Sequence, residues 1–173
     1  MKTVTELLPV AIGIAVIGGV TWFLLDRNIG LGKWLLAALL FAHGWVHLMF
    51  VFPQPDPAAT TAGGFAYPFD MGRSWLISGP GLDVGLIRTL GSVVMAATFV
   101  AFMLAVLSTV GLLVPADWWT RLVVAAAAGS MVLLALFFSP ALLLGFAIDV
   151  VLLWLVLASG WSPVGSGVPG GAG

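Results

Sequence analysis

The chain has 173 residues, 61% of them apolar and 8% charged, with a net charge of −1 and a mean hydropathy of +1.17. Soluble domains carry roughly 25% charged residues, so a water-soluble globular protein is excluded. The apolar residues run almost end to end, which also excludes a soluble body on one anchor. Six basic residues form no patch for nucleic acid. The absence of cysteine excludes disulfides, thiolate catalysis, Cys-ligated zinc, iron–sulfur clusters and c-type haem attachment.

A helical crossing needs about 20 mostly apolar residues. The first such run is 7–25, closed by Asp26-Arg27-Asn28. It is longer than the apolar part of a signal peptide, roughly 7–15 residues, and no A-x-A-like cleavage site follows, so it reads as a retained helix. The second run, 31–52, stops at Pro53. From 53 to 88 prolines, glycines, Asp56, Asp70, Arg73, Asp83 and Arg88 indicate a long extramembrane loop, with apolar stretches at Phe65–Phe69 and Trp75–Ile77 suited to the interface. The third span is 89–114, ended by Pro115 and long enough to tilt.

Asp117 then stands where a fourth helix needs an N-cap. The apolar run beyond it is too long for one crossing, and Ser139-Pro140 divides it, with Ser as cap and Pro in the first turn. This gives spans at 119–138 and 141–158, followed by a Gly/Pro-rich tail, 160–173, with the composition of a flexible linker. The expected fold is all-α: a single transmembrane bundle over 1–159 with five helices, or four if the first lies outside it. Five crossings bring Trp22, Trp34, Trp118, Trp119 and Trp161 to one face, as an interfacial aromatic belt would. The orientation stays open, because Lys2, Arg73 and Arg88 on one side balance Arg27, Lys33 and Arg121 on the other.

Helices in lipid associate through small residues and a few polar contacts. Small residues line up at Ala11, Ala15 and Gly19, at Ala97, Ala101 and Ala105, and at Ala125 and Gly129. Internal packing is the expected use of these stripes; a homo-oligomer or a membrane-protein partner is the alternative. Twelve of the thirteen formally charged side chains fall in loops or near span ends, and the exception is Asp149. At a helix centre it costs about 2.5–3.5 kcal/mol, which the surrounding Leu, Ile, Val and Phe offset at about 0.3–0.6 kcal/mol each. Insertion therefore tolerates Asp149 without explaining it, and a carboxyl at this depth usually faces the protein interior and pairs with something.

The two histidines, His43 and His47, share one face of the second span, about 6 Å apart. At about 1.5 Å per residue, His43, Asp149, Ser130 and Thr98 all fall roughly 14 Å from the loop-side ends of their helices. Four helices thus contribute to one polar layer, with Arg88 and Arg73 on the nearer face. A structural hydrogen-bond network is one reading. A proton-handling or redox-coupling site is a second, since burial disfavours a lone charge on either type of group and lets them share a proton. A third is a two-His-one-carboxylate metal site using His43, His47 and Asp149, for zinc or non-haem iron. Haem ligation by one of the histidines also stays open.

Ala42-His43-Gly44-x-x-His47 resembles the signature of a recurrent group of small bacterial multi-pass membrane proteins that carries no assigned reaction. The resemblance continues through Arg88-x-x-Gly91, Trp118-Trp119, Ser130 and Phe138-Ser139-x-Ala141, over roughly 35–158. The chain departs from that pattern at Pro140 and Leu142, where the group tends to carry an acidic and a basic residue, and at Asp149, where it favours an amide. The resemblance implies an integral bacterial membrane protein. The reading that follows is a structural or accessory component of the cell membrane, in contact with the lipid bilayer, with a buried His–Asp layer. The alternative is a membrane enzyme or proton-coupled carrier using His43, His47 and Asp149, with or without a bound metal or haem.

Overall fold

A computed structural model describes residues 2–27, 30–51 and 69–163. Most of the expected loop (52–68) and the tail from 164 onward lie outside the described residues. Among the described residues six α-helices appear in order: α1 (Lys2–Asp26), α2 (Leu31–His47), the short α3 (Trp75–Ser78), α4 (Val84–Val110), α5 (Trp119–Leu136) and α6 (Leu143–Leu153). Tight 3-10 turns extend α2 through Phe50 and precede α5 and α6, and α6 runs on into a π-helical turn, Trp154–Ala158. No strand occurs among the described residues.

Leu31–Phe50, Val84–Val110, Ala116–Leu136 and Pro140–Ala158 are long and apolar enough to cross a membrane, and α1 adds the shorter apolar stretch Ala11–Asp26. The protein is an all-α helical membrane bundle. Packing is serial: α1 lies on α2, α2 on α4, α4 on α5 and α5 on α6. The α1–α2 hairpin closes tightly at Gly32, where a Cβ would lie 2.8 Å from the Leu25 backbone nitrogen.

Several boundaries and caps differ from the sequence expectation. The third span begins at Val84 rather than 89 because Asp83 accepts a hydrogen bond from the Leu86 amide at 2.8 Å. It ends at Val110 rather than 114 because Gly111 turns left-handed (φ 76°) and its amide bonds back to the carbonyls of Leu107 and Ser108, a common helix stop. Asp117 does not cap the next helix; it sits inside the turn Ala116–Trp118, and α5 starts without a side-chain cap. Pro140 takes its first-turn position, but the Ser139 side chain makes no capping bond.

The segment before α4 is folded rather than open. Ser74 Oγ donates to the Leu136 carbonyl at 2.6 Å and Trp75 Nε1 to the Ala135 carbonyl at 2.9 Å. Both serve carbonyls at the end of α5, which the helix itself leaves unpaired. At the opposite end, Trp22 packs on Trp161 and Trp161 on Trp119, with ring centroids 5.5 and 5.7 Å apart. Those three tryptophans share one end as expected. Trp119 is a core residue rather than part of a belt, fully buried and donating to Thr109 Oγ1 at 2.8 Å.

Two apolar clusters fill the bundle. One holds Leu36, Leu40, Phe102, Ala105, Trp119, Val123, Ala126 and Val156. The other, at the loop end, holds Phe50, Met71, Ile87, Met95, Leu133, Leu134, Phe137 and Leu142. Along α2, α4, α5 and α6 the polar residues of interest fall between the two. The chain has no cysteine, so single introduced cysteines report topology directly. Arg27→Cys and Ser159→Cys should react with an impermeant thiol reagent from one face of a vesicle and Ser78→Cys from the other; reaction of the first two from opposite faces contradicts this layout.

Candidate functional site

The site starts from helix periodicity. Residues four apart on α2 place the imidazoles of His43 and His47 on one face, with ring centroids 5.3 Å apart and nearly perpendicular. Gly44 between them lets α4 approach, since a Cβ there would lie 2.7 Å from Phe102 Cβ. Phe102 then covers both rings, edge-on to His43 at 5.1 Å and stacked on His47 at 5.8 Å. The glycine in the A-H-G-x-x-H run therefore has a packing role: it admits the aromatic lid over the histidines.

The polar contacts form a closed set. His43 Nε2 lies 2.9 Å from Asp149 Oδ1. Asp149 Oδ2 bonds to Ser130 Oγ, and Ser130 Oγ lies 2.7 Å from His47 Nε2. The second ring nitrogen of His47 returns to its own helix, with Nδ1 donating to the His43 carbonyl at 2.9 Å. Asp149 and Ser130 have no exposed surface, and His47 is buried. The backbones of α2 and α6 hardly meet, and these side chains link them directly at His43–Asp149 and through Ser130 of α5.

Four of the five residues expected in the layer are thus in direct contact. Thr98 is at the right depth but outside the network: its Oγ1 is the one buried side-chain polar atom without a partner among the described residues. It points at Gly129, where a Cβ would overlap it. A Cα–H of Gly129 is the donor this geometry offers, a weak bond that recurs where helices pack closely.

The remaining expected residues are placed as follows. Among the described residues no three His, Asp or Glu side chains are placed to hold a metal ion, so His43, His47 and Asp149 are not a preformed metal triad. The physical reason is that both nitrogens of His47 already serve a hydroxyl and a carbonyl. Arg73 pairs with Asp70 at 3.1 Å and is mostly exposed. Arg88 is also exposed, beside Gly72; neither arginine reaches the layer. On the small-residue stripes, Ala105 and Gly129 do pack internally, but Ala15 and Gly19 face outward and Ala126 and Ala127, not Ala125, are the buried pair on α5. Phe102 was not legible as a site residue, because an apolar helix gives no sign of which aromatic covers a histidine.

No protein-family model, curated protein or solved structure matches the chain. The site must be read from its own geometry. Gly44→Val should force α2 from α4 and cost about 1–3 kcal/mol, the usual range for overpacking, in unfolding experiments in detergent. Phe102→Ala in the same chain should recover part of that loss.

Proposed function

We propose that this chain is a non-enzymatic, multi-pass component of the bacterial cell membrane, structural or accessory to other membrane proteins, in which the His–Ser–Asp layer fixes the positions of α2, α5 and α6. One observation carries this reading: both oxygens of Asp149 and both ring nitrogens of His47 already have protein partners. An active site needs groups left to meet a substrate, and these are spent on one another. A groove of about 580 Å³ at the loop end is lined by Arg73, Trp75, Phe138, Leu143 and Phe146 and by no residue of the layer. The outward-facing Ala15 and Gly19 of α1 support the accessory part, since close helix association in lipid uses such surfaces. The resemblance of Ala42–His47 to a group of bacterial membrane proteins supports the setting.

The test is the double change His43→Ala/His47→Ala. The expected result is a loss of several kcal/mol in unfolding free energy, because Asp149 and Ser130 keep their burial and their bond to each other but each loses its histidine partner, at about 1–3 kcal/mol per group. Retention of fold and thermal stability with loss of a bound metal, a chromophore or a pH-dependent signal contradicts the proposal. Asp149→Asn should change stability by less than about 1 kcal/mol, as an amide can accept from His43 and donate to Ser130. Asp149→Ala, which serves neither, should cost at least about 2 kcal/mol.

A further inference from the structure

Hydrogen positions in the layer follow from which atoms can donate. A backbone carbonyl only accepts, so the contact between His47 Nδ1 and the His43 carbonyl puts a proton on Nδ1. With His43 donating through Nε2, the other contacts have two complete solutions. In one, His47 is neutral and its Nε2 accepts from the Ser130 hydroxyl, Ser130 Oγ accepts from a protonated Asp149 Oδ2, and Oδ1 accepts from His43. In the other, His47 carries both ring protons and Nε2 donates to Ser130 Oγ. Ser130 then donates to the Asp149 carboxylate, and Oδ1 again accepts from His43. Both arrangements hold the same protons, carry no net charge and leave no contact unsatisfied. Taking one proton away breaks the set, because two lone pairs then face each other on one side of Ser130.

We infer that the Asp149–Ser130–His47 unit is a proton-exchange site. The proton on Asp149 Oδ2 moves to Ser130 Oγ as the hydroxyl proton of Ser130 moves to His47 Nε2. One O–H bond breaks at the carboxyl, one O–H bond is exchanged at the hydroxyl, and one N–H bond forms at the imidazole. No oxidant, metal or co-reactant is required. The titratable groups facing the unit are His43 and His47 from α2 and Asp149 from α6; α4 presents Phe102 and Thr98, and α5 presents Ser130.

His43 is the member of the network with the most exposed side chain. His43 keeps 11% of its side chain exposed, and its Nδ1 makes no hydrogen bond among the described residues while not being a buried orphan. A proton arriving at Nδ1 lets Nε2 pass its own proton to Asp149 Oδ1, which then accepts from Ser130 at Oδ2 with His47 doubly protonated, a third fully bonded arrangement. The far end is closed, since His47 Nδ1 is held by a carbonyl. The unit therefore stores and exchanges a proton through His43; it is not a channel through the bundle. This uses the same cluster as the structural role but adds a property that role does not need.

With two histidines in the chain, 15N-histidine labelling of the purified protein resolves both rings. The expected result is a protonated His47 Nδ1, together with an Nε2 signal lying between the bare and protonated values and moving with temperature. Ser130→Ala should collapse that signal to the value of a bare nitrogen. If Ser130→Ala does not fold, Asp149→Asn serves instead: it should fix His47 Nε2 at one value and remove a carboxylic-acid carbonyl band from the infrared spectrum. A His47 Nε2 signal that is fixed in the wild type, or a bare Nδ1, overturns the inference. A fixed signal in a protein that loses its stability with the imidazoles removes proton exchange alone. A mobile signal in a protein indifferent to loss of the imidazoles removes the structural role alone.

Discussion

A carboxyl group buried among apolar helices has to be satisfied where it sits, because neither lipid nor a leucine side chain can bond it. Asp149 meets that constraint by drawing on two other helices: His43 of α2 at one oxygen and Ser130 of α5 at the other. The rest of the bundle's middle follows from this. Ser130 also holds His47, Gly44 brings Phe102 over both imidazoles, and an apolar cluster lies on either side of the layer. Few backbone contacts join α2 to α6, and the polar set adds a direct link between them.

The loop end obeys a second version of the same rule. The hairpin at Ser139-Pro140 cuts α5 short and leaves its last carbonyls without amide partners. Ser74 and the Trp75 indole supply two of those bonds from a distant part of the sequence, and Met71 fills the space under Gly91 and Phe137. Arg73 is held by Asp70 at the surface, and the buried contacts go to neutral groups.

The fold class was legible because hydropathy alone determines it, and the histidine–aspartate meeting was legible because depth in a membrane is countable along each helix at a fixed rise per residue. The same counting placed Ser130 and Thr98 at one level, but it contains no information about rotation around a helix axis. Ser130 turned toward Asp149, whereas Thr98 turned toward Gly129. Helix ends were less legible. Asp117 looked like a cap in sequence but sits inside the 3-10 turn that follows Pro115, whereas Asp83, read only as a loop residue, caps the longest helix. No metal-ligand group of three forms among the described residues, because the serine hydroxyl and the carbonyl of His43 take the two nitrogens of His47.

A double-mutant cycle between His43 and Asp149 bears most directly on the link between α2 and α6. Unfolding free energies in detergent are compared for His43→Ala, Asp149→Ala and the pair. A coupling energy of about 1–3 kcal/mol is expected, as found for residues in one buried network. Additivity within about 0.5 kcal/mol, the behaviour of independent sites, would contradict the account.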